Sequence, residues 1–352
     1  METYLYAYNI NLKLVFFMEK EAMLWESINK KVKCKLCAWR CTIADKKRGI
    51  CRVRENRDGK LYTLNYALAS SVAIDPIEKK PLFHFYPKSS VFSLGTVSCN
   101  FSCLHCQNYN ISKTNLEEFG IYLREIHPEE AVKMAKYHKC KGIAFTYNEP
   151  TIWFEYTYDT AKIAKENGLY TVYVTNGYMT LEALDTIAPY LDAMNIDVKS
   201  FTEKFYKEVC SVKLKPVLET VENANSKGIH VEVTYLVIPG YNDKEEEFKQ
   251  FVEWMANVDV NIPVHFTRFY PAYEMSNISP TPLETLEKAR DLALKKLRYV
   301  YIGNIASPTG ENTYCYNCGK LLIYRQGYII NKIDITKDNK CPSCKSDINI
   351  VV

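Results

Sequence analysis

No stretch of the chain approaches the about 18 uncharged apolar residues that a membrane-spanning helix needs, so no span is expected. Charge of one sign is lacking as well. Forty-five Lys and Arg stand against 41 Asp and Glu, and no basic patch carries interleaved aromatics, so no nucleic-acid partner is expected. The patterns GxGxxG and GxxxxGK[ST] are absent, which removes the familiar phosphate-cradling loops. There is no internal repeat and no low-complexity run. With 47% hydrophobic and 24% charged residues over 352 positions, wholesale disorder is excluded, and the length suits one enzyme-sized body with small modules. Residues 1–17 are apolar, but Glu2 and Lys13 interrupt them and no small-residue cleavage site follows. They read as an extension or an upstream-start artefact rather than a signal peptide. Met18 opens a helical pattern, MEKEAMLWESINKK.

Cysteine, by contrast, is abundant. The 13 cysteines fall into groups: Cys34, Cys37, Cys41 and Cys51; then Cys99, Cys103 and Cys106; then Cys315, Cys318, Cys341 and Cys344; with Cys140 and Cys210 alone. A cytoplasmic chain keeps its thiols reduced, so clustered cysteines point to metals or catalysis rather than disulfides. The two single residues read as buried structural cysteines.

Between the first and last groups, β-rich runs alternate with helical patterns. Strands are expected at 91–98, 142–148, 170–176, 193–199, 231–239 and 265–270, with a seventh possible at 299–304. Helical patterns fall near 128–139, 151–167, 180–190, 202–227, 243–257 and 282–297. The central runs are apolar at nearly every position, as parallel strands buried on both faces are. The fold class is therefore α/β, a partial (β/α)6 TIM-type barrel, since 91–305 is short of the roughly 250 residues of a closed eight-unit barrel. The expected organisation is an N-terminal cysteine-rich module with small β elements at 18–90, the barrel at 91–305, and a C-terminal zinc-ribbon-like module at 306–352.

The loop CNFSCLHC at 99–106 is C-x3-C-x2-C, directly after the first strand. Three thiolates grip one face of a cluster but do not complete a four-ligand structural site, so one iron of a [4Fe–4S] cube would stay open to a non-protein ligand. His105 adjoins Cys106 and is badly placed for that corner; a zinc borrowing a remote ligand is the alternative. Cys315-x2-Cys318 and Cys341-x2-Cys344, separated by 22 residues that include the β-like run LLIYRQGYII, spell two knuckles bridged by a hairpin, a zinc ribbon. A second β-like run, INIVV, follows the last cysteine. The N-terminal spacing C-x2-C-x3-C-x9-C suits either structural zinc or an auxiliary iron–sulfur cluster, and spacing does not separate the two.

On the cysteine loop and its position after the first strand, the chain resembles the radical SAM superfamily. The resemblance implies an oxidoreductase that binds S-adenosylmethionine (SAM) on the open iron and cleaves it to methionine and a 5′-deoxyadenosyl radical that abstracts hydrogen. It also implies SAM contacts: Asn148 and Glu149 at the second strand end, Asn176 in a Thr-Asn-Gly element at the third, Asp197 and Lys199 in an Asp-x-Lys element at the fourth. His105 takes the aromatic position against the adenine, 237–240 resemble an adenine-backing turn, and Arg268 could meet a carboxylate. The Thr-Asn-Gly and Asp-x-Lys elements are similar to those of glycyl-radical-enzyme activases such as the pyruvate formate-lyase activase, although Val174 stands where those often place an acid. The stretches RGIC at 48–51, DPIEKKPLFHFYP at 75–87, FTYNEPT at 145–151 and TRFYP at 267–271 resemble the radical SAM member of the AmmeMemoRadiSam set. That likeness implies Memo-like and AMMECR-type partners and a low-potential flavodoxin- or ferredoxin-type electron donor but no settled substrate; the activase-like strand ends and the laterally open partial barrel imply a protein substrate. Two other readings stand beside it: radical modification of a small molecule or partner using an N-terminal cluster, and a non-catalytic metal-binding scaffold.

Overall fold

The computed structural model describes residues 19–307 and 309–352. The reading of residues 1–17 lies outside the described residues. The body is an eight-stranded sheet: β1 (Ser71–Pro76), β2 (Ser90–Gly95), β3 (Gly142–Phe145), β4 (Tyr170–Thr175), β5 (Ala193–Asp197), β6 (His230–Val237), β7 (Val264–Arg268) and β8 (Val300–Gly303). The strands pair in chain order, with β1 and β8 at the two edges, so the barrel is open. From β2 to β8 every pairing is parallel, as Gly142↔Val91 and Val172↔Ala193 illustrate. The possible seventh strand is thus real, giving seven parallel strands and six crossovers. β1 runs antiparallel to β2, so the sheet starts inside the segment read as the N-terminal module.

The crossover helices are α1 (Pro128–Tyr137), α2 (Phe154–Glu166), α3 (Leu181–Ile187), α4 (Lys215–Ser226), α5 (Glu245–Val258) and α6 (Leu283–Ala293). Their apolar faces and the buried strands form one core running from Phe92 and Phe145 through Met194 and Val233 to Phe266 and Leu286. Before α4 the chain makes a short π-type turn, Tyr206–Cys210, ended by Ser211 at φ +63°. No helix among the described residues is long and apolar enough to cross a membrane.

The helical pattern read from Met18 is not realised. Lys20–Glu21, Trp25–Ile28 and Lys31–Cys34 are strands, and Ile28↔Lys31 pairing leaves Asn29 and Lys30 as a two-residue turn with φ of +47° and +66°. Both central residues at positive φ make the tight hairpin turn that matches strand twist, and pairing overrides the local helix preference. In the C-terminal module, LLIYRQGYII is itself a hairpin, Leu321–Gln326 against Ile329–Ile333, turning at Gly327 (φ +59°). INIVV makes no strand; Val351 forms a single parallel bridge to Phe85.

The C-terminal module is fastened to the barrel. Arg325, buried, donates from Nη2 to the Phe83 carbonyl at 2.8 Å, and its guanidinium lies 4.4 Å from the Phe83 ring centre. Phe83, Tyr299 and Tyr301 pack with Cys315, Ile323 and Ile330 as one small core.

Candidate active site

The site forms at the C-terminal ends of the parallel strands, where loops converge. Gly95 ends β2, and a Cβ there would come within 2.7 Å of the Thr146 carbonyl, so only glycine lets the first two strand ends close up. The chain then turns through Ser98 (φ +73°) into Cys99, Cys103 and Cys106, which line one cavity of about 520 Å³. That volume falls in the range of small-ligand sites.

His105, Asn148, Asn176, Asp197 and Lys199 line the same cavity, so five of the expected contacts are brought together with the three thiols. Lys199 Nζ is 2.8 Å from Asp197 Oδ2. Burial opposes charge on Lys199, yet Asp197 and the nearby Cys103 and Cys210 hold its ammonium well above the ordinary range. Asn176 Nδ2 donates to Asn100 Oδ1 at 2.8 Å and reaches Cys99 Sγ at 3.8 Å. His105 is buried with Nδ1 lacking a partner among the described residues; burial and the nearby Lys199 and Lys113 keep it neutral.

Two expected contacts fall elsewhere. Glu149 is fully buried and does not line the cavity; its Oε1 accepts from Thr151 N at 2.9 Å and Thr175 Oγ1 at 2.7 Å, and its Oε2 accepts from Asn176 N at 2.8 Å. The carboxylate is consumed in joining the β3 and β4 ends, and burial raises its pKa. Arg268 follows Thr267, which does line the cavity, and strand alternation turns the arginine away. Its guanidinium lies 5.1 Å from the Tyr270 ring centre. Asn148 touches the cavity, but its amide is engaged by Thr96 N at 3.1 Å and the Ser98 carbonyl at 2.8 Å, so it shapes the cysteine loop. Of the turn at 237–240, Val237 and Ile238 are buried off the cavity; Thr234 and Leu236 of β6 line it instead.

Sequence reasoning missed two features. Cys210, read as an isolated core residue, lies beside Cys103: Ser102 N and Leu104 N donate to the Cys210 and Val209 carbonyls, and hydrogen bonding from Cys210 pushes the Cys103 thiol well up. Only the π-type turn brings it there, and nothing in its spacing signals that. Asp75 of β1 accepts from Lys79, Lys80 and Tyr147 at 2.7–2.8 Å, and both lysines line the cavity. The run DPIEKKP was visible, but not its place at the site.

Burial also raises the Cys99 and Cys106 thiols, which keeps them protonated until a metal takes the proton's place. A second, outer cavity of about 540 Å³ adjoins the first and shares Lys79, Pro81, Gln107, Thr267, Asn304 and Tyr328 with it; His265, Tyr270 and Glu311 line the second alone. The C-terminal cysteines form a separate compact group, with Cys315–Cys344 and Cys318–Cys341 sulfurs 3.5 and 3.7 Å apart. A hydrogen bond with Ser346 lowers the Cys344 thiol to about 5. These four thiols can hold a metal.

Three thiols on the loop of a first barrel strand, facing a nucleotide-sized cavity lined with amide, acid and ammonium groups, define an open-barrel enzyme of cluster and nucleotide chemistry. The sequence profile of the Radical SAM superfamily matches residues 94–253. An uncharacterised protein of Methanocaldococcus jannaschii, MJ0808, is 48% identical over 339 residues, 95% of this chain and 100% of that protein. The pyruvate formate-lyase 1-activating enzyme of Escherichia coli is 21% identical over 213 residues, 55% of this chain and 84% of that enzyme. A crystallised domain of pyruvate-formate lyase-activating enzyme from Bacteroides vulgatus superposes with a TM-score of 0.42 at 18% identity, covering 46% of this chain and 99% of that domain. The chain belongs to the radical SAM superfamily and is a radical SAM enzyme, related to activating enzymes.

Proposed function

We propose that the protein is an activating enzyme that takes a hydrogen atom from a polypeptide substrate. The observation that carries this reading is the continuity of the two cavities through Gln107, Thr267, Asn304 and Tyr328, on the open side of the barrel. A closed barrel admits a small molecule from above; an open one with a lateral groove admits a chain.

The donor set suits the family's cofactors: three cavity-facing thiols for a [4Fe–4S] cluster and a cavity of about 520 Å³ for SAM. When bound, they supply the electron and the sulfonium whose cleavage gives methionine and the 5′-deoxyadenosyl radical. In this reading Cys99, Cys103 and Cys106 hold the cluster. Asp197 would receive the cofactor's amino group and Lys199 its carboxylate, the two side chains exchanging their mutual 2.8 Å ion pair for those contacts. Asn176 orients Cys99 and the nearby polar groups, and Glu149 fixes Asn176 through its backbone, so it is a positioning residue. His105, neutral and buried, offers its ring to the adenine. Arg268 has no cofactor role in this scheme.

The same reading takes a flavodoxin- or ferredoxin-type donor, a cytoplasmic location, a structural zinc in the C-terminal module, and Memo-like or AMMECR-type proteins as partners or substrates. It is tested by anaerobic reconstitution, reduction with dithionite, and 5′-deoxyadenosine assay with and without those proteins, using Cys103→Ala as the blank. Nucleoside formation that the variant lacks and that a macromolecule stimulates supports the proposal. A rate unaffected by any polypeptide but raised by a small molecule overturns the substrate class.

A further inference from the structure

Two sulfur spacings divide the cysteine groups. In the C-terminal module all four sulfurs lie within 4.8 Å of one another, with contacts of 3.5 and 3.7 Å. A tetrahedral zinc with Zn–S bonds of about 2.3 Å requires edges of about 3.8 Å. Among the described residues, no other set of three or more metal-binding side chains is drawn that close. Cys99, Cys103 and Cys106 stand further apart around their cavity, as ligands to separate irons must.

Cys34, Cys37, Cys41 and Cys51 follow the second pattern. All four line one small cavity. Yet no three of them come within 4.8 Å. A Cβ on Gly49 would sit in ordinary contact with Cys41 Sγ at 3.7 Å and would crowd only the Ile43 Cδ1 methyl, at 3.2 Å. Arg54, 1% exposed, donates from Nη1 to Cys34 Sγ at 3.4 Å, and its Nε, on the same cavity wall, has no hydrogen-bond partner among the described residues. Hydrogen bonds to ligand sulfur are one of the means by which a protein sets the potential of an iron–sulfur centre.

We propose that the N-terminal group holds a second iron–sulfur cluster, leaving the C-terminal group as the zinc site. Sulfur separation bears on the choice that the sequence left open between zinc and cluster: the four thiols line one cavity, yet among the described residues no three of them lie within the 4.8 Å that holds the C-terminal four. The centre adjoins the barrel loop, since Trp39 Nε1 donates to the Asn100 carbonyl at 2.8 Å and Cys37 bridges to Met179 after β4. This proposal does not rest on the substrate reading above.

The test uses the full chain, reconstituted anaerobically with iron and sulfide and assayed for iron, acid-labile sulfide and zinc. The variant Cys99→Ala/Cys103→Ala/Cys106→Ala leaves the N-terminal group untouched. It is expected to retain about four irons with matching sulfide and about one zinc, with a cluster spectrum unchanged by SAM. About two irons with matching sulfide, a two-iron centre, supports the proposal equally. Adding Cys37→Ser and Cys51→Ser to that variant is expected to remove the remaining iron while the C-terminal zinc stays. A triple variant with no iron and about two zincs overturns the proposal. Wild type that keeps both clusters yet never cleaves SAM would count against the proposed function alone.

Discussion

The Ser98 hydroxyl donates a 2.8 Å hydrogen bond to the backbone carbonyl of Cys51. The residue before the first barrel thiol is therefore tied to the last thiol of the N-terminal group. Arg52 reinforces the tie, donating from Nε to Ser98 Oγ at 3.1 Å and from its terminal nitrogens to the Ser112 and Lys113 carbonyls. Ser98 holds φ +73°, a conformation that a residue with a side chain keeps only when its surroundings impose it.

Ser98→Ala removes that strut and leaves the buried Cys51 carbonyl short of a donor. The expected cost is about 1–2 kcal/mol, read as a lower thermal midpoint. Iron should also leave the reconstituted protein faster when a chelator is added anaerobically. Identical release kinetics in variant and wild type would remove the strut from the account.

Lys199→Met preserves most of the side-chain volume while deleting the ammonium that faces Asp197. The thiols are untouched, so iron content should equal that of wild type. Affinity for SAM should fall by about tenfold or more, the loss of a charge-assisted contact in a buried site. Titration of the reduced cluster's electron paramagnetic resonance signal with SAM measures it, and unaltered affinity would exclude Lys199 from the cofactor's contacts.

Acid should weaken the outer groove through Glu232. This buried carboxylate accepts from His84 N at 2.7 Å and pairs with His265 Nε2 at 2.6 Å and His230 Nε2 at 3.1 Å. Burial opposes its charge, but the two histidines hold its pKa well below the usual carboxylate range. A depressed folded pKa means that the stabilisation is complete above the unfolded value of about 4 and is lost as pH falls below it. Glu232→Gln is expected to lower the midpoint at neutral pH by the equivalent of about 2–4 kcal/mol and to flatten the acid limb. Parallel midpoint-versus-pH curves for the two proteins would contradict this.

Metal removal from the C-terminal group should separate two activities. Gly327 and Tyr328 of its hairpin line the outer cavity, whereas none of its residues contacts the three barrel thiols' loop in the cavity lining except through Tyr328. Cys318→Ser/Cys344→Ser should therefore leave substrate-free SAM cleavage within about twofold of wild type while reducing macromolecule-stimulated turnover by about tenfold or more, because binding on the open side loses a wall. Equal loss of both rates would argue against the separation.

The parallel sheet was legible because buried strands are apolar at nearly every position, and all six expected strands lie where the runs of Val, Ile, Phe and Tyr lie. Strand ends were read one to three residues too long, since Tyr147–Asn148 and Val198–Lys199 continue the β pattern but turn into the site. The hairpin at Trp25–Cys34 was read as helix because its charged, Leu- and Met-containing sequence suits either structure, and only pairing decides. Cysteine spacing singled out Cys99, Cys103 and Cys106, which do line one cavity. It said nothing of Cys210, whose approach to Cys103 depends on a turn that local propensity does not encode. Glu149 was read as a cofactor contact from its likeness to a Gly-Gly-Glu-like element; its three donors, from Thr151, Thr175 and Asn176, engage its carboxylate in the wall.

The Arg325 clasp on the Phe83 carbonyl has one further consequence. It anchors a small module, whose four thiols can hold a metal, to the rim of a much larger body whose candidate reaction centre assembles elsewhere. Under the proposed function, recognition and radical generation would then have separate points of failure: a chain starved of that metal would still fire, but with less control over what it hits.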